Sequence, residues 1–246
     1  MAGHSKWANI KRAKGATDAK RGKVFAKLSR EVTVATKLGG GDPDMNPRLR
    51  MVLLKCRSAS MPKDNIDRAI QKATGGGADA NFDELVYEIY APGGVAILAE
   101  ITTDNRNRAA AEIRSLVTKA GGSIAAQGAV SRLFQKRGQI IVARESAEED
   151  MLMEVALEAG ADDFKTEDQG YEILTAPADF ESVHKAIEAK GVPCEAAEVT
   201  AVADLTVPMK DQAVINAVSR LLEALEDQDD VQQVFSNAEF PSENDA

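Results

Sequence analysis

Nine of the first thirty residues are Lys or Arg (Lys6, Lys11, Arg12, Lys14, Lys20, Arg21, Lys23, Lys27 and Arg30), and the one acid among them is Asp18, in a chain whose formal net charge is −9. Cations at that density, interspersed with His4 and Trp7, have the composition of a segment that lies along a phosphate backbone. The indole of Trp7 offers the flat face on which a base or ribose stacks. A solvated basic leader with no partner is the plainer reading, and it leaves Trp7 without a purpose. Candidate nucleic-acid contacts are therefore His4, Lys6, Trp7, Lys11, Arg12, Lys14, Lys20, Arg21, Lys23 and Lys27.

A second cluster lies in TTDNRNR, Thr102 to Arg108, which joins a strand pattern to a helix start. Asp104 or Asn105 can cap that helix. Arg106 and Arg108 face the positive end of the helix dipole, a penalty of about 0.3–1 kcal/mol. An arginine pair beside free helix N–H groups is also how an anion is gripped, so both join the candidate set. Lys136 and Arg137 read as a hairpin turn before Gly138, where they either extend the same anion contact or, the favoured reading, keep the turn soluble. Ser146, Glu148, Glu149 and Asp150 resemble a carboxylate cluster, but Ser146 with Glu149 three residues on is a capping box, and acids in a first helical turn suit the dipole.

The chain contains no GxxxxGK[ST] phosphate loop, nucleophile elbow or HExxH, and His184 reads as a boundary residue of an amphipathic helix. No catalytic set is assembled, so the expectation is no enzyme and no small-molecule substrate. Two cysteines, Cys56 and Cys194, and two histidines, His4 and His184, do not make a metal cluster and suggest a reducing compartment. There is no run of eighteen apolar residues and no apolar signal core in Met1–Arg30, so the chain reads as soluble and unexported, with no membrane partner.

Charge is divided unevenly. Residues 1–75 carry 17 basic and 6 acidic side chains, and the remaining 171 carry 13 and 33. Phosphate is drawn to the first part and held off by the second.

The elements that must position these residues follow from periodicity. Thr17 or Asp18 can cap a helix with Val24, Phe25, Leu28, Val32, Ala35 and Leu38 on one side. Asn46 and Pro47 open a second helix with Leu49, Val52, Leu53, Cys56 and Ser60 inward and Arg48, Arg50, Lys55 and Arg57 largely outward. Pro62 opens a third, with Ile66, Ala69, Ile70 and Ala73 inward. Three such helices form a small bundle; a DNA-reading helix cannot be singled out among them. After the glycine-rich linker the period changes to two. Val86–Tyr90 and Val95–Thr102 read as a hairpin, followed by a helix over 107–120 that buries Ala110, Ile113, Leu116 and Val117. The order βαββαβ then runs from Gln139 to Ala203, the pattern of a ferredoxin-like sandwich. A last helix over 211–226 and a strand over 231–235 cannot fold alone and are expected to return to the earlier hairpin.

The fold class read here is α+β multidomain: an N-terminal three-helix bundle followed by two α+β domains, the last ferredoxin-like (βαββαβ). The expected domains are a basic arm plus bundle at 1–78, a discontinuous α+β domain at 79–130 and 206–240, an inserted ferredoxin-like domain at 131–205, and a disordered acidic tail at 241–246. An RNA-reading sheet would need paired aromatics on central strands, whereas aromatics are 4% of the chain.

The segments AGHSKWANIKRAKGATDAKRGKVFAKLSREV, GGGDPDMNPRLR, MPKDNIDRAI and TDNRNR resemble the YebC family of bacterial proteins, which includes the mitochondrial translational activator of cytochrome c oxidase. The resemblance extends to about Phe240. It implies three domains, no cofactor and a cytoplasmic setting. Bacterial members are described as transcriptional regulators that bind DNA; others, including the mitochondrial branch, act on translation at the ribosome. The motif positions Gly3, His4, Ser5, Lys6, Trp7, Lys11, Lys14, Arg21, Phe25 and Lys27 match the family pattern, Phe25 being better explained as core. The resulting expectation is a non-enzymatic nucleic-acid-binding regulator of gene expression, a DNA-binding transcriptional regulator that uses its basic N-terminal arm and helical domain. Two alternatives stay open: a translation factor that binds ribosomal RNA or tRNA near the ribosome's active centre, and a protein-interaction adaptor that works through its acidic face.

Overall fold

A computed structural model describes residues 18–75 and 82–241, with side chains of the first helix from Arg21 onward. In chain order the helices are α1 (Asp18–Gly39), α2 (Pro47–Ser58), α3 (Lys63–Thr74), α4 (Arg106–Lys119), α5 (Glu149–Glu158), α6 (Phe180–Ala189) and α7 (Gln212–Asp227). The strands are β1 (Asp83–Tyr90), β2 (Ala96–Thr103), β3 (Ser123–Ile124), β4 (Phe134–Ala143), β5 (Asp163–Glu167), β6 (Gly170–Thr175), β7 (Ala196–Ala203), β8 (Val207–Pro208), β9 (Val231–Ser236) and β10 (Ala238–Glu239). This is an α+β multidomain protein, with N-terminal helices followed by α+β layers. Two compact units contain these elements: Gly75, 82–135 and 203–241 form one, and 18–74 with 136–202 the other.

In the second unit, Leu28, Val32 and Ala35 recur at helical spacing along α1 and are buried against Leu49, Val52 and Cys56 of α2, Met61, and Ala69 of α3. Asn46 caps α2 by accepting a hydrogen bond from Leu49 N at 3.1 Å, with Pro47 at the first helical position. Several expected positions differ. Asp18 is already helical, and Thr17 lies outside the described residues. Val24 and Leu38 are 41% and 69% exposed; at about 100° per residue Leu38 is rotated off the Leu28, Val32 and Ala35 stripe, although α3 still packs beside that end of α1 through Ile70 and Thr74. Ser60 lies beyond α2 in the left-handed region (φ 54), and Pro62 precedes α3. Arg50 and Lys55 are half-buried and committed to internal contacts.

The same unit holds a sheet of order β5-β6-β4-β7, with β4–β6 and β5–β6 antiparallel. Numbered within the βαββαβ run this is 2-3-1-4, the ferredoxin-like arrangement. Alternation sends Ile140 and Val142 of β4 and Tyr171 and Ile173 of β6 toward Leu152 and Ala156 of α5 and Phe180, Val183 and Ile187 of α6. Lys136 and Arg137 lie inside β4 rather than in a turn, and Arg137 pairs with Asp162 at 2.8 Å. The expected Ser146 capping box is absent: Ser146 ends a 3-10 turn, Glu148 takes the cap position without a side-chain bond, and Glu149 accepts from Thr166 Oγ1 at 2.8 Å. His184 is buried and stacked on Phe180 at 5.8 Å, not a boundary residue.

The first unit is built on a sheet of order β3-β1-β2-β9. A 3-10 turn, Pro92–Gly94, joins β1 to β2, with Gly93 and Gly94 at positive φ (76 and 77), where a side chain would be strained. Val95, Ile97, Ala99 and Ile101 are buried on one face against Ala109, Ile113 and Val117 of α4 and Val218, Leu221 and Leu225 of α7. Ala109, one position before the expected Ala110, faces the core, while Ala110 and Leu116 are half-buried. The opposite face of the sheet carries a smaller cluster, Ala96, Leu98 and Val130, with Leu133, Phe134 and Phe235 packed on it.

Candidate nucleic-acid interface

His4, Lys6, Trp7, Lys11, Arg12 and Lys14 lie outside the described residues, as does the side chain of Lys20. Arg21, Lys23 and Lys27 are carried by the first turns of α1. Arg21 is exposed, with its guanidinium carbon 6.0 Å from the centre of the Phe25 ring, an i to i+4 pair that steadies the cation over an aromatic face. Lys23 is exposed and Lys27 half-buried. Lys23, Lys27 and Arg30 repeat at i, i+4, i+7, the spacing that Leu28, Val32 and Ala35 follow, so α1 carries a cationic stripe on the side away from its buried one.

The rest of the bundle extends this charge. Residues 18–75 hold 13 basic and 6 acidic side chains. Arg48, Arg57, Lys63, Arg68 and Lys72 are exposed. Lys63, Arg68 and Lys72 were not singled out from sequence; the place of Arg68 and Lys72 on α3, away from Ile66, Ala69 and Ile70, was the available signal, whereas Lys63 shares the phase of Ile66 and Ile70 and is exposed at the first turn. Two other cations are structural. Lys55 Nζ pairs with Glu31 at 3.3 Å, while Arg50 donates through Nη1 to the Pro43 and Asp44 carbonyls at 2.8 and 2.9 Å and sits 3.5 Å from Glu181.

Arg106 and Arg108 belong to the other unit, and acids meet them. Asn105 is the cap of α4, its side chain accepting from Arg108 N at 3.0 Å. Arg106 Nη2 lies 2.6 Å from Asp83 Oδ1. Arg108 Nη2 lies 2.7 Å from Asp104 Oδ1 and 2.9 Å from Asp230 Oδ2, whose carboxylate also accepts from Thr103 Oγ1 at 2.9 Å. The hydrogen bond from Arg106 holds the Asp83 carboxyl below its usual range, and the bond to Asp230, then that to Asp104, raises the Arg108 guanidinium further. Three carboxylates thus answer two guanidiniums, and the arrangement ties α4 to the start of β9.

Among the described residues, no group of three or more His, Cys, Asp or Glu could hold a metal ion, and no helix is long and apolar enough to cross a membrane. Burial, followed by the charge of Glu31, pushes the Cys56 thiol up to about 11; burial does the same at Cys194, aided by Glu188 and Glu195. Neither is poised as a nucleophile. Burial holds His184 below its usual value against the opposing charge of Glu188.

A cationic helical module followed in the chain by two α+β layers defines a multidomain α+β protein whose candidate surface is electrostatic. The sequence comparisons give the class its name. Residues 5–76 match the family model described as TACO1/YebC protein N-terminal domain, and residues 82–238 match that of the TACO1/YebC second and third domain, so the chain belongs to the TACO1/YebC family. A relative from Desulforapulum autotrophicum is 49% identical over 243 residues, covering 99% of this chain and 98% of that one. One from Treponema denticola is 50% identical over 241 residues, covering 98% and 97%. Both are named probable transcriptional regulatory protein. The crystal structure of a conserved hypothetical protein from Aquifex aeolicus is similar at a TM-score of 0.83 and 45% identity, covering 93% of this chain and 94% of that one.

Proposed function

We propose that this protein is a non-enzymatic regulator of gene expression that binds duplex DNA through its basic N-terminal segment and the cationic face of the α1–α3 bundle. The observation that carries this reading is the concentration of charge: 17 basic against 6 acidic side chains over residues 1–75, in a chain of net charge −9. The names of the relatives, probable transcriptional regulatory proteins, support the same role. Lys6, Lys11, Arg12 and Lys14 supply charge to the phosphates, Trp7 a stacking face, and Arg21, Lys23 and Lys27 continue the contact along α1. The acidic remainder limits indiscriminate attachment. Arg106 and Arg108, already answered by Asp83, Asp104 and Asp230, are assigned the lesser share.

Changing Lys6, Lys11, Arg12 and Lys14 together to Gln tests this in a fluorescence-anisotropy titration of a labelled promoter duplex against competitor DNA. The expected result is a loss of affinity of about tenfold or more at moderate salt. Unchanged affinity would remove the reading. Wild-type binding that follows ribosomal RNA and ignores duplex DNA would replace it with the translation reading.

A further inference from the structure

The connection between α1 and α2 is both braced and bare. Asn46, 3% exposed, donates through Nδ2 to the carbonyls of Ala35 and Gly40 at 2.9 and 2.8 Å while its oxygen accepts from Leu49 N. Arg50 donates to the Pro43 and Asp44 carbonyls, and Asp42 Oδ1 accepts from Asp44 N at 2.9 Å. A Cβ on Gly39 would fall 2.7 Å from the Asn46 amide, and Gly40 sits at φ +87, so the chain follows one tightly specified path around this amide. Yet this fixed loop and the last turn of α1 leave Met45 78% and Leu38 69% exposed. A braced backbone presenting unbranched or γ-branched apolar side chains to water is what an inserting wedge requires, since little further ordering accompanies insertion.

The charges point to the occupant. Asp42 and Asp44 are exposed on the same loop and repel phosphate, so the tip is unsuited to the backbone, whereas the bundle that carries it holds 13 basic and 6 acidic side chains and is complementary to a polyanion. Exposed apolar side chains on a cationic body fit base edges and stacked steps, with the backbone held by cations of the bundle. We infer that Leu38 and Met45 form a wedge that enters a base step of bound DNA, the exposed carboxylates of Asp42 and Asp44 keeping the tip clear of the phosphates. This rests on the DNA-binding reading above and adds a deformation to it: pyrimidine–purine steps, which unstack most readily, become the preferred points of entry.

The test uses the full chain and a duplex with 2-aminopurine at a central TA step. Saturation with the wild-type chain should raise 2-aminopurine emission several-fold as the step unstacks. The Leu38→Ala, Met45→Ala variant should bind about tenfold more weakly with an unchanged salt slope, and should leave the emission flat. Both side chains are exposed, so its thermal melt should match that of the wild type. Wild-type binding without any rise in emission, or a variant indistinguishable from wild type, would overturn the wedge while sparing the proposed function; absence of duplex binding would instead remove the function. A variant that keeps the emission rise but loses self-association in sedimentation would assign the tip to a second copy of the chain and overturn the wedge.

Discussion

Glu88 shows how one side chain can hold a segment in place. It lies on the outward face of β1, opposite Leu98, and is buried. Its carboxylate accepts the backbone N–H groups of Gly128 at 2.6 Å and of Val130 and Ser131 at 2.5 and 2.9 Å, which seats Val130 over Ala96 and Leu98. Burial alone would raise this carboxyl, but the donors of Gly128, Ser131 and Val130 outweigh it and hold the group below its usual value. A depressed carboxylate contributes stability that is present above the unfolded value, about 4.3, and is lost as pH falls through the folded one. Glu88→Gln is therefore expected to cost about 2 kcal/mol in urea unfolding at neutral pH, since an amide group then faces backbone donors. The gap to wild type should narrow as the titration is repeated toward pH 3; a gap independent of pH would contradict the assignment.

At the scale of elements, packing decides which sequence patterns are honoured. Alternation along β2 and the βαββαβ order were legible because each depends on local period and on the sheet geometry that period imposes. The ends of α1 were not: Val24 and Leu38 are exposed, and Leu38 is rotated off the Leu28, Val32 and Ala35 stripe. Of the candidate site, the exposed or half-buried place of Arg21, Lys23 and Lys27 on α1 was legible from helical period, while the candidates before Asp18 lie outside the described residues. At Arg106 and Arg108 it was half legible, since the acids that answer them, Asp83 and Asp230, lie 23 and 122 positions away. Gly138 was read beside a turn, yet it is a strand residue whose absent side chain admits α6. A Cβ there would collide with Thr175 Oγ1 and lie 2.7 Å from Phe180 Cβ. Gly138→Ala should cost about 1–3 kcal/mol in chemical denaturation, the usual range for overpacking. A cost below about 0.5 kcal/mol would show that α6 yields more freely than close packing allows.

Across the whole molecule the governing feature is the separation of charge along the chain: 17 basic and 6 acidic side chains in residues 1–75, then 13 and 33. On the proposed reading, the first part of the chain attracts a polyanion and the rest resists it, so orientation would precede contact. Amide hydrogen exchange of the full chain, with and without a saturating DNA duplex, reads the contact directly. The prediction is slowed exchange in peptides from the first thirty residues and from the loop and helix surfaces of 18–74, with little change over 82–133 and 139–202. Protection confined to those acidic segments, with the basic leader exchanging as fast as in the free chain, would contradict it.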